Sequence, residues 1–165
     1  MDSRDLLRTN LARSRDLVLM RVEDMRAHAL VAPTPRGGGH TLWVLGHLAC
    51  VEHLVVDALM RGEPNPLAAW ERVFDGDDVS TDAATFPGFD EALAACREAR
   101  AHTLALLETL SEADLDRTSS RVPAGFESTF GTWRDCLQYA ADHWLMHRGT
   151  LADARRAAGV ARMWV

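Results

Sequence analysis

Apolar positions over residues 3–31 recur at three- and four-residue intervals: Leu7, Leu11, Ser14 on the same face, Val18, Val22, Met25 and Ala29, with arginines and acids between them. This is the inward stripe of an amphipathic helix. Ala32-Pro33-Thr34-Pro35-Arg36 and then Gly37-Gly38-Gly39 stop it, because proline removes a donor and glycine favours irregular backbone. The triple glycine lacks the Lys-Ser/Thr of a phosphate loop and no strand precedes it, so it reads as a flexible connector. A second helix is predicted from Thr41, its expected N-cap, to Arg61, with Gly62 as the stop. Its apolar arc takes in Leu42, Trp43, Leu45, Leu48, Ala49, Val51, Leu54, Val55, Val56 and Leu59. An arc that wide packs on two or more neighbours.

Residues 63–88 are predicted irregular, punctuated by Pro64, Pro66 and Pro87, with a short helix around Leu67 to Phe74. The acidic turn Asp75-Gly76-Asp77-Asp78 lacks the spacing and terminal glutamate of a calcium loop. A third helix is predicted over Phe89–Thr109, with Leu93, Cys96, Leu104, Leu107 and Leu110 inward, and Ser111 to Asp114 has the form of a capping box. After a polar loop, a last helix starts near Thr129 and ends near Gly159, with Phe130, Trp133, Leu137, Ala140, Trp144, His147, Leu151 and Ala154 on one stripe. No segment alternates with period two, so no substantial sheet is expected. The fold class is therefore all-α: a four-helix bundle in one domain, residues 1–165, with a long crossover between the second and third helices.

Composition narrows the function classes. A net charge of −6 argues against nucleic acid as a partner, since phosphate binding needs a concentrated basic surface. All 18 basic residues are arginine, which with abundant alanine points to GC-rich bacterial coding. The N-terminus is charged with no apolar run behind it, and no stretch reaches the roughly 18 apolar residues of a membrane span. A soluble cytoplasmic protein without membrane attachment is expected. Cys50, Cys96 and Cys136 form no CxxC pair and read as small buried hydrophobes.

The histidines carry the candidate chemistry. His143 and His147 lie four residues apart, so both rings share one helix face a turn apart. His47 lies in the apolar arc of the second helix, and His53 is about 120° around that helix from it. His40 is two turns before His47, about 10 Å away, a second-sphere or entrance position. His28 and His102 are expected to face solvent. Three inward imidazoles on two helices are costly to bury unpartnered. Satisfied core histidines and a shared divalent metal both remain open from spacing alone.

Trp43-Val44-Leu45-Gly46-His47-Leu48-Ala49, together with His143-x-x-x-His147-Arg148-Gly149, resembles the DinB/YfiT-like superfamily of four-helix bundle metalloproteins. The resemblance extends over nearly the whole chain, including helix order and Leu115-Asp116-Arg117. Thr150 departs from it, since many relatives have glutamine after His-Arg-Gly. The resemblance implies that His47, His143 and His147 bind the metal. Three neutral imidazoles leave a coordination position open and suit zinc, nickel or iron. The superfamily includes thiol S-transferases that use low-molecular-weight bacterial thiols, proteins described as metal-dependent hydrolases, and DNA-damage- or stress-inducible members. The first implied function is a transferase that activates a small-molecule thiol for attack on an electrophilic substrate; the alternatives are a hydrolase or a non-catalytic metal-binding protein. Glu52 falls on the inward stripe and is expected to pair with a ligand's second ring nitrogen or with Arg148, and Tyr139 is a candidate donor to a bound ligand. Trp43, Trp133 and Trp144 read as core or pocket wall, and the bundle is expected to pair as a homodimer.

Overall fold

The computed structural model describes residues 2–76 and 79–163. Asp77 and Asp78 of the acidic turn lie outside the described residues. The Asp2 carboxylate caps the first helix, α1 (Ser3–Leu19), by accepting from the Asp5 amide at 2.8 Å. The chain then turns and tightens into a 3-10 segment, Glu23–His28, so the single helix predicted to residue 31 is corrected to two pieces. Val18, Val22 and Met25 are nevertheless all buried, as the stripe requires. A three- to four-residue spacing fits both helix types, so periodicity does not report the change of winding. Ion pairs from Asp24 to Arg155 and from Arg26 to Asp90 hold this segment down.

The second long helix begins as α2 (Thr41–His53) and continues as a π-helical stretch, Leu54–Arg61. Its N-cap is His40 instead of Thr41: the His40 Nδ1 accepts from the Trp43 amide at 3.1 Å, and Nε2 donates to the Ser80 carbonyl at 2.9 Å. His40 is thus fully buried as a structural cap. Gly62 ends the π stretch at φ +78, a left-handed backbone that favours glycine, and a Cβ there would lie 2.3 Å from Ser120 Oγ, which would have to shift. By length and composition alone this helix, Thr41–Arg61, could cross a membrane, contrary to expectation. With 67% of its apolar window buried inside the fold, it reads as the bundle's core helix.

The predicted short helix is α3 (Ala68–Phe74), which packs on α2. Next comes α4 (Phe89–Thr109), with the expected bounds, then α5 (Glu112–Leu115), opened by the Ser111/Asp114 capping box. The last helix starts later than predicted. Glu127–Phe130 is a separate turn, α6, and α7 (Trp133–Ala157) opens at a capping box between Thr132 and Asp135. The described residues contain only isolated β-bridges, at Thr34–Gly37 and Thr118–Thr132.

Side-chain pairs fix the helix directions. Asn10 meets Gln138 and Asp24 meets Arg155, so α1 and α7 run parallel. Arg8 meets Glu108 and Arg26 meets Asp90, so α1 and α4 are antiparallel. One core cluster joins Leu42–Ala49 to Ala92–Ala99 and the other joins Val55–Met60 to Leu107–Leu110, so α2 and α4 are also parallel. Two parallel neighbours joined in sequence need a return path along the bundle, which residues 62–88 supply.

At the centre the guanidinium of Arg100, fully buried, donates through all five of its N–H groups. Its partners are Glu52 Oε1 at 2.6 Å and Oε2 at 2.9 Å, the Leu11 and Ala140 carbonyls at 2.7 and 2.8 Å, and Ser14 Oγ at 2.8 Å. Trp144 Nε1 donates to the same carboxylate at 2.6 Å, and its ring lies 4.2 Å beneath the guanidinium. All four long helices meet in this one polar cluster. Glu52 is buried as expected, but its partners are Arg100 and Trp144, which replace the predicted Arg148 or histidine ring nitrogen.

Candidate metal centre

α2 and α7 run antiparallel, and the faces they turn to each other carry His47, His143 and His147. The close approach starts from a glycine. A Cβ on Gly46 would lie 2.1 Å from Cζ of Phe74, so only glycine there lets the Phe74 ring, and α3 with it, settle on α2. That contact brings the Phe74 carbonyl to 2.7 Å from His47 Nδ1. A carbonyl can only accept, so Nδ1 carries the ring proton and the Nε2 lone pair faces inward. The Trp43 ring stacks on His47, with centroids 4.3 Å apart and planes 15° apart.

His143 Nε2 lies 3.2 Å from His47 Nε2 and 3.1 Å from His147 Nε2. Burial, with the neighbouring imidazoles adding to it, depresses the His143 pKa to about 3 and that of His147 to about 4. Burial depresses His47 as well, against the hydrogen bond that its Nδ1 donates to the Phe74 carbonyl. The cluster is therefore neutral near pH 7, so each ring has one N–H and one lone pair. Three ring nitrogens meeting at one point cannot all be satisfied among themselves, because one central N–H serves one acceptor well. A cation takes a lone pair from each.

The spacing fits that role. Nitrogens bound about 2.0–2.1 Å from a zinc-like ion lie about 3.0–3.4 Å from one another, the range of both Nε2 separations from His143, and all three ligand atoms lie within 4.8 Å of one another. Among the described residues no fourth histidine, cysteine or carboxylate joins the group. His143 is buried, and His47 and His147 are half-buried. His147 Nδ1 is buried without a protein partner.

The other predicted residues lie around this centre without joining it. Tyr139 stacks on His143, centroids 5.5 Å and planes 11° apart, and meets Phe130 edge-on at 4.8 Å, so packing on the His143 ring is the contact it makes. Arg148 lies about 100° around α7 from His147, where with Arg21, Arg155, Arg156 and Arg162 it lines a groove of about 610 Å³. His28, expected in solvent, is half-buried at the end of the 3-10 segment. His102 is largely exposed but bonds to Asp57. Cys50, Cys96 and Cys136 are all buried, and burial pushes the Cys50 thiol up to about 12.

Two features of this region are not legible in the residues alone. The Phe74 carbonyl is a backbone atom brought in by the crossover and leaves no mark in the sequence. Arg100 was visible only as an arginine at a stripe position of the third helix, next to Ala99.

No curated protein matches this chain. Residues 10–151 match the DinB superfamily, which is most of the chain and includes all three converging histidines. The all-α bundle and that match agree, and the chain belongs to the DinB superfamily.

Proposed function

We propose that His47, His143 and His147 hold a divalent metal ion at which the protein activates a small thiol for transfer to an electrophile. The observation that supports this most is three neutral Nε2 atoms converging with no fourth protein ligand among the described residues. Structural zinc sites are closed by four protein ligands, whereas catalytic sites keep a position open. A divalent ion held there supplies the positive charge that keeps a bound thiol in its thiolate form near neutral pH.

The chain's own residues do the remaining work. The Phe74 carbonyl and the Trp43 ring fix His47, and Tyr139 packs against the plane of His143. The thiol proton leaves to solvent, the sulfur bonds to the electrophilic carbon, and the leaving group departs with its electron pair. The thiol must come from outside, because burial holds all three cysteines protonated. Glu52 is committed to Arg100 and Trp144, so it is not a free base for water. Hydrolysis that relies on Glu52 as the general base is thereby disfavoured.

The test incubates metal-loaded protein with a small thiol and a halodinitrobenzene. Conjugation faster than the uncatalysed rate, lost in His147→Ala, supports the proposal. Ester cleavage without thiol moves the reading to a hydrolase. Metal binding with neither activity leaves the metal a structural part of a non-catalytic protein.

A further inference from the structure

A second cluster of donor groups lies on another flank of α2. His53 and Asp57 are four residues apart where the helix widens into its π stretch, a distortion that often accompanies function. His102 reaches them from α4. His53 Nδ1 lies 2.7 Å from Asp57 Oδ2, and His102 Nε2 lies 3.0 Å from Oδ1. One ligand atom from each residue lies within 4.8 Å of the others. We propose that His53, Asp57 and His102 form a second site for a divalent transition-metal ion, independent of the three-histidine centre.

The donor set and the charge both suit such an ion. Two imidazoles and a carboxylate bind zinc, cobalt, nickel or ferrous iron well, and magnesium or calcium poorly. Burial raises the Asp57 carboxyl, but the hydrogen bonds from His53 and His102 outweigh it, so the group stays ionised. This site therefore brings a negative charge that the first one lacks. Each imidazole now turns an N–H toward the carboxylate. Moving that proton to the ring's other nitrogen exposes a lone pair at the same place, with no change in net protonation. Each imidazole nitrogen lies 2.7–3.0 Å from its own oxygen of the Asp57 carboxylate, close to the roughly 3 Å between neighbouring ligands around such an ion.

Arg61 donates to Asp57 Oδ1 at 2.9 Å and to Glu63 at 2.6 Å, which orients the carboxylate and offsets part of the arginine's own charge. His102 is 41% exposed, so ions enter and water completes the coordination from that side.

Equilibrium dialysis of the full chain against Co2+ tests this, with the fold checked by circular dichroism. The His143→Ala/His147→Ala variant is expected to keep about one Co2+ per chain, and adding His102→Ala to weaken that binding at least about tenfold. If the first-site variant fails to fold, His102→Ala alone reads the same property by lowering wild-type binding from about two ions to about one. Cobalt-dependent broadening of the His102 ring signals in NMR is the accompanying sign. The proposal is overturned if His102→Ala leaves cobalt binding unchanged, or if a folded first-site variant binds none. Failure of the three-histidine centre is separately visible, as binding that depends on His102 and not on His147.

Discussion

Replacing Arg100 with methionine would remove one end of the polar cluster that joins the four long helices. In the native fold the guanidinium satisfies both oxygens of buried Glu52, two buried carbonyls and Ser14 Oγ. Methionine fills much of the volume but leaves the Glu52 carboxylate with only the Trp144 N–H. Removing one partner of a buried ion pair costs about 3–5 kcal/mol, most of it the uncompensated charge left behind. For a domain of this size each kcal/mol lowers Tm by about 2–4 °C, so a fall of about 6–20 °C is expected. Urea unfolding followed by tryptophan fluorescence should show a lower midpoint at unchanged slope, the mark of a stability change alone. The double variant Glu52→Gln/Arg100→Met removes the stranded charge and should recover more than half of the loss. A single variant melting within about 2 °C of wild type, or a double variant no better than the single, would refute the assignment of this pair as the core's electrostatic hub.

Other outcomes follow from the metal centre and its supports. In metal-free protein the three site histidines have folded pKa values below the unfolded value of about 6.5, with His143 near 3 and His147 near 4. Below pH 6.5 the unfolded chain therefore binds more protons than the folded one, so stability falls as pH drops from about 6.5 toward about 4; Tm measured across that range with chelator present checks the sign. His143→Ala/His147→Ala should flatten this part of the profile. Gly46→Ala drives a methyl into the Phe74 ring, costing about 1–3 kcal/mol in chemical denaturation and, through the displaced Phe74 carbonyl, about tenfold or more in metal affinity by competition with a chelator. Gly62→Ala meets both a left-handed backbone and Ser120, so it should lower stability by more than about 1 kcal/mol while leaving the metal affinity of the three-histidine centre unchanged.

The sequence by itself determined the helices and the shared faces. The inward apolar positions marked a helix from about Phe89 to Thr109, and the long insert after Gly62 already suggested a crossover. The four-residue spacing of His143 and His147 placed both on one face because helix geometry is local. Winding was less legible. The stripe through Val18, Val22 and Met25 looks the same whether the backbone is α or 3-10, and a His40 cap looks no more plausible in sequence than Thr41. What only the tertiary structure decided were contacts between groups far apart in the chain: Arg100 with Glu52, the Phe74 carbonyl with His47, and His102 with Asp57. Periodicity says which face is buried but not what lies opposite it. That choice depends on helix direction and on the few places, such as Gly46, where two backbones can come close.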